Sequence, residues 1–512
     1  MSHNPNPFDF VTFASASPNL KSTKEWLSLD SLKTGYLELQ VQALTPVHIV
    51  GTQEAKNTGH GQRQSREEGK PNFKILNSHF YRRHDQAFIP ASSLRGLLRA
   101  FIETACNGWA SQMTPFYLTE KSRHQIGFRE ISAPKDQFID EQREKIDFNL
   151  DASLPKEHEP RVVKDVTTEK IDLASFLFGY VSPEKKEKSE EAQEASNSSW
   201  RGRIIIEDAR IPADHLSGKT GPYRMPDVED SAFMGGPHPS ASSWWYQKPY
   251  GIQLRPVKHF KVCDFIGAGF RGRKFYYHQD PQSCVAWYLN DQNWKSRPDH
   301  RVYNFPIECL EVGKTTESFR LYFENVPAVL LKLLLLALQP GNRLRHKLGY
   351  GKAYGYGSIN FIVKSGVVRN EQTAGATVSP VQETLNEIHN ALWDEGKLNK
   401  IGIGQFLERE SLKKLAPILW YQEPLSQMFT YPPFDAGGFL PIAREADLKA
   451  ALPPTLAGKL SSTVRKVIDA EARAVAQNLA KQGRRAALHF EVYQESAEGY
   501  SQIQARKLEQ AV

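Results

Sequence analysis

Cysteine is scarce. The 512 residues hold four, Cys106, Cys263, Cys284 and Cys309, and no two of them form a CxxC pair. A zinc ribbon or a disulfide framework therefore has no support, and a reducing, cytoplasmic setting fits best. Long apolar runs are missing too. The longest, Val329–Leu338, is interrupted by Lys332 and is too short to span a bilayer, so it predicts a buried helix and no membrane partner. The start, MSHNPNPFDF, has no basic region followed by an apolar core and does not read as a secretory signal. Neither sign of charge dominates. Lys and Arg number 65 and Asp and Glu 58, for a formal net charge of +7, which permits a polyanionic partner without demanding one. A Walker motif is absent. Gly218-Lys219-Thr220 and Gly313-Lys314-Thr315 have Ala213 and Glu308 where the upstream glycine belongs, which argues against an ATPase.

What is present is alternation and helical periodicity. Residues 1–35 read as a polar leader. Leu37, Leu39, Val41 and Ala43 then alternate with Glu38, Gln40 and Gln42, the period of a half-buried strand. A polar, glycine-bearing stretch to about Arg83 reads as a long loop. Pro90 and Ser92 open a helix, in which Leu94, Leu97, Leu98, Phe101, Ile102 and Ala105 form one apolar stripe. Arg203–Ile211 predicts a strand, as does the alternation Phe319, Leu321, Phe323. Pro327 opens the apolar helix, at a position where its missing N–H does no harm. Ile359, Phe361 and Val363 mark a last strand. The order is β-α-β-β-α-β, a ferredoxin-like (RRM-type) α+β core. It occupies 36–221 and 318–365, split by a large insertion at 222–317. Residues 183–199 are charged and lack large apolar side chains, so they read as disordered. Residues 380–512 read as a separate, mostly helical lobe.

Three stretches carry candidate chemistry. In FIPASSLRGLLR (88–99) a strand end runs into a helix start, where free N–H groups and the positive dipole end suit phosphate. Ser92, Ser93, Arg95 and Arg99 are its candidate RNA-binding side chains. Gly96 inside that helix costs about 1 kcal/mol relative to alanine, which a closely approaching neighbour would explain. In LGYGKAYGYGS (348–358), four glycines in nine residues alternate with Tyr350, Tyr354 and Tyr356 and with Lys352, just after Arg343 and Arg345. Cations interleaved with aromatic faces suit single-stranded RNA. From Glu54 through Arg99 there are nine cationic side chains against four acids, a local footprint for phosphate. Each stretch also has a plainer reading, respectively an ordinary helix cap, a turn with inward tyrosines, and a solvated loop. The RGRKFYYH run at 271–278 mixes cations and aromatics as well, and fits RNA, a neighbouring subunit or an amphipathic strand.

Together these motifs resemble the RAMP superfamily of CRISPR-associated proteins. FIPASSLRGLLR resembles that group's "IPGSSLKGALR" element. SFLFGY followed by RGRIIIEDARI resembles its "LFG … GRLxFxDA" element, and LGYGKAYGYGSINF its C-terminal glycine-rich loop and strand. The order and spacing agree over roughly 36–365. The resemblance implies a subunit that holds guide RNA (crRNA) or the guide–target RNA duplex beside other effector subunits. The large insertion looks most like backbone subunits of type III systems, especially type III-D. Subunits of that kind that cut target RNA use an aspartate after the first strand, but no Asp occurs between Ser31 and His84 here. Glu67, Glu68, Glu54 or His60 would have to substitute, with Mg2+ as the cofactor if cleavage occurs. A second implied reading is a guide-RNA-processing endoribonuclease with His48 or His60 as acid or base. A third is a pure protein scaffold.

Overall fold

The computed structural model describes residues 7–57, 73–111, 146–149, 156–158, 160, 163, 165–181, 199–228, 251–257, 260–266, 272–290, 302–370, 373–378, 381–425, 429 and four short strands between 488 and 508. The candidates His60, Glu67 and Glu68, the segment read as disordered (all but Ser199) and the helical pattern near 464–483 lie outside the described residues.

The elements used below are β1 (Phe8–Val11), β2 (Leu32–Ala43), β3 (Val50–Asn57), β4 (Phe73–Phe80), β5 (Gln86–Ile89), α1 (Ala91–Ala105), α2 (Leu173–Phe178), β6 (Ile204–Ile206), β7 (Arg273–Tyr276), α3 (Pro281–Tyr288), β8 (Phe319–Pro327), α4 (Ala328–Leu338), β9 (His346–Lys347), β10 (Ser358–Asn370), α5 (Val381–Ala391) and α6 (Arg409–Leu419).

The central sheet runs β6-β8-β2-β10-β9, with every pair antiparallel. In chain order β2, α1, β6, β8, α4 and β10 form β-α-β-β-α-β, with the first strand between the third and fourth. This is the ferredoxin-like arrangement, and the α+β expectation holds. Alternation explains the layering. Leu37, Leu39 and Val41 of β2 point to one face and are buried. Leu94, Leu98 and Phe101 of α1 and Leu330, Leu333 and Leu334 of α4 share the same core. The stripe read from the sequence is thus the face of α1 that packs on the sheet.

Three regions add to the plain reading. The stretch read as a polar leader holds β1, the helical turn Thr23–Leu27 and the fully buried Trp26. Inside the insertion, Arg224–Val228 pairs with Val302–Pro306, and β7 pairs with β1. The helices after 380 form the expected C-terminal helical lobe, and that lobe packs on the core. Leu385, Ile388, Leu412 and Leu415 join the main core, and the Glu408 N–H donates to the Ala105 carbonyl at 2.7 Å. The last described segments, Leu488–His489 through Lys507–Leu508, are strands.

Candidate nucleic-acid interface

The start of α1 is built by its neighbours. Pro90 is the N-cap and makes no side-chain capping bond. The Ala91 N–H instead donates to Asp208 Oδ1 at 2.7 Å, and Arg83 Nη1 donates to Asp208 Oδ2 at 2.6 Å. The aspartate of EDARI thus supplies the cap that the proline lacks, about 1 kcal/mol for such a bond. Arg95 donates to the Phe178 carbonyl, and Arg99 Nη1 to the Gly179 carbonyl at 3.0 Å. Both cations therefore meet the C-terminal, negative end of α2. FIPASSLRGLLR is thus tied through side chains to both SFLFGY and EDARI.

The two arginines differ in what remains to them. Arg99 is spent. Its Nε donates to Glu103 Oε1 at 2.8 Å and to Ser111 Oγ at 3.0 Å, and Glu103 is buried. Arg95 is exposed, and among the described residues it makes only the one bond to Phe178. Burial and the Arg99 charge beside it lower its pKa. Ser92 is exposed and Ser93 half-buried. Among the described residues beyond its own helix backbone and chain neighbours, no heavy atom lies within 4 Å of where a Cβ on Gly96 would sit, so none of them requires a glycine there.

The glycine-rich loop corrects the sequence reading. Tyr354 and Tyr356 are 0% and 2% exposed, so their rings are not offered to bases. They fill a second core with Met225, Tyr288, Phe305 and Cys309 from the insertion. The Tyr288 and Tyr354 rings meet edge-on at 4.9 Å, and the Tyr356 hydroxyl donates to the Arg224 carbonyl at 2.7 Å. The glycines serve the same inward packing. Gly349 has φ +84°, and a Cβ there would lie 2.3 Å from the His48 carbonyl oxygen; at Gly357 it would lie 1.9 Å from that of Leu348. Only glycine accepts both the positive φ and the approach. The flanking cations are occupied as well. Arg345 donates to the carbonyls of Gly341, Asn342 and Leu344. Lys352 is half-buried, with its Nζ 5.4 Å from the Tyr276 ring centroid. Arg343 is half-buried and 5.9 Å from the Trp420 ring.

His48, the candidate acid or base, is fully buried. Its Nδ1 donates to the Glu308 carbonyl at 2.6 Å, which leaves Nε2 to accept from the Ser78 hydroxyl at 2.9 Å. Burial pushes its pKa down to about 4. A neutral imidazole with both nitrogens engaged holds β4 to the insertion and does not reach a substrate. Glu308 also takes a bidentate pair from Arg82, at 2.6 and 2.5 Å. Burial raises the Glu308 carboxyl, but the bonds from Arg82 and the Phe80 N–H outweigh it and hold the pKa low. Of the four residues that could replace the missing aspartate, Glu54 is the one among the described residues. It is exposed on β3 and bonded to Asn77 at 2.6 Å and His79 at 3.1 Å. Among the described residues no group of His, Cys, Asp or Glu could hold a metal, and no helix is long and apolar enough to cross a membrane.

Sequence reasoning missed Asp208, Arg82 and Glu308. Asp208 lies in the quoted EDARI run, just past the end of β6, and an acid at a strand end was the available signal. The Arg82–Glu308 pair spans 226 residues and leaves no local trace.

A ferredoxin-like core carrying a glycine-rich loop and a short-capped helix defines the class. Residues 40–360 match the family model of the RAMP superfamily. That match covers more than half of the chain, and the chain belongs to the RAMP superfamily, a group of CRISPR-associated proteins. No curated protein matches it. The crystal structure of Thermofilum pendens Csc2 is similar at 10% identity with a TM-score of 0.25, over 76% of this chain and 82% of that one, values that carry no argument.

Proposed function

We propose that the chain is an RNA-binding backbone subunit of a CRISPR ribonucleoprotein effector, holding guide RNA or the guide–target duplex beside other subunits. Gly96 carries this reading. A glycine in the middle of a helix costs about 1 kcal/mol, and no neighbour among the described residues needs the space above it. Ser92, one turn before Gly96, and Arg95, its chain neighbour, are both exposed. A ribose-phosphate strand lying there would use the room, a hydroxyl and a cation together. Family membership supports the same partner, and the insertion favours a type III assembly. Base pairing would supply specificity while the protein holds backbone and shape. Target cleavage, with Mg2+, would fall to His60, Glu67 or Glu68.

The test is purification of the full chain from its own cells, with extraction and sequencing of the bound RNA. The reading expects guide-derived RNA. A preparation free of RNA, or one carrying only unrelated cellular RNA, contradicts it.

A further inference from the structure

The face of the central sheet opposite α1 and α4 carries an apolar row. Ile205 of β6 stands opposite Tyr322 of β8, Tyr322 opposite Tyr36 of β2, and Tyr36 opposite Val367 of β10. Four side chains thus line up across four adjacent strands, a span of about 14 Å at ordinary strand spacing. None of them is buried, and Ile205 is 45% exposed. The parallel row beside it is charged, with Arg320 opposite Glu38 and Glu207 flanking Arg320 through the Glu207 N–H to Arg320 carbonyl bond of 3.0 Å.

In a fold of this type an open sheet face with rings on its two central strands suggests base stacking. The chemistry here opposes it. The Arg320 guanidinium lies 4.6 Å over the Tyr36 ring, on a face that a base would need. Tyr322 Oη donates to Glu207 Oε1 at 2.9 Å. The two carboxylates in the flanking row would repel phosphate, whereas Arg320 is already engaged. An apolar row with an acidic flank fits the opposite partner. We propose that this face docks a segment of another protein whose apolar side chains sit on the row and whose Lys or Arg side chains meet Glu38 and Glu207. This docking stands whether or not α1 grips RNA.

The test places a photo-crosslinking residue at position 205 of the full chain in its own cells. The cross-linked products are identified by mass spectrometry, and RNA retention is followed in parallel. A cross-link to a peptide with apolar and basic side chains is expected. The charge reversal Glu207→Lys should cut its yield at least about tenfold. Because it also removes the acceptor of the Tyr322 hydroxyl and of the Arg320 N–H, Glu207→Gln, which keeps an acceptor without the charge, should lower the yield with the thermal midpoint unchanged. A cross-link to RNA, a cross-link within the chain, no cross-link, or a yield indifferent to Glu207→Lys would overturn the proposal.

Discussion

Replacing Gly96 by alanine separates the chain's own needs from those of a ligand. Among the described residues beyond its own helix, no heavy atom lies within 4 Å of the added methyl, so they accept it without rearrangement. Helix propensity then favours the variant by about 1 kcal/mol. Urea unfolding should show a higher midpoint. RNA affinity should move the other way. A methyl forced into a close contact costs roughly 1–3 kcal/mol, which is about five- to hundred-fold in Kd. Gly96→Gln should weaken RNA binding further. Filter binding at two salt concentrations gives the affinities, and urea titration of the same preparations gives the stabilities. Gly349→Ala is the contrasting control. Its positive φ and the His48 carbonyl at 2.3 Å make it a destabilising change. A Gly96→Ala protein that is more stable and binds RNA as tightly as the parent would refute the reasoning.

Asp208→Ala removes the cap of α1 and the partner of Arg83, and should cost about 1–2 kcal/mol of stability in urea titration. Glu308→Ala leaves Arg82 and the Phe80 N–H without their acceptor, and should cost roughly 3 kcal/mol; Glu308→Gln should recover part of it. Burial holds His48 and His346 at a pKa of about 4 in the folded chain, against about 6.5 when exposed. Between those values the unfolded chain binds more protons. Their stabilisation is therefore complete above pH 6.5 and is lost as the pH falls towards 4. The unfolding midpoint should drop steadily over that range, and a profile that stays flat down to pH 5 would contradict it.

The sheet was legible because β2, β8 and β10 bury one face and alternate plainly, and α1 because six apolar residues share one stripe. The glycine-rich loop was legible as a feature but not in its direction. Glycines that admit a ligand and glycines that admit the chain's own carbonyls look alike in sequence, and here Gly349 and Gly357 are of the second kind. Tyr354 and Tyr356 turned inward because the insertion supplied an apolar lining, through Met225 and Phe305, that no local pattern announces. Arg95 and Arg99 were legible as neighbours one turn apart near a helix start. Their acceptors at Phe178 and Gly179 lie some 80 residues away, so the structural half of their role was hidden. The strand Phe8–Val11 was missed because its pairing partner, Arg273–Tyr276, lies inside the insertion.

The most direct measurement is ultraviolet cross-linking of the purified full chain to its bound RNA, with nucleotide-bearing peptides mapped by mass spectrometry. The account predicts adducts in the segment Phe88–Arg99, at or beside Gly96. Adducts confined to other segments, with Phe88–Arg99 recovered unmodified, would contradict it.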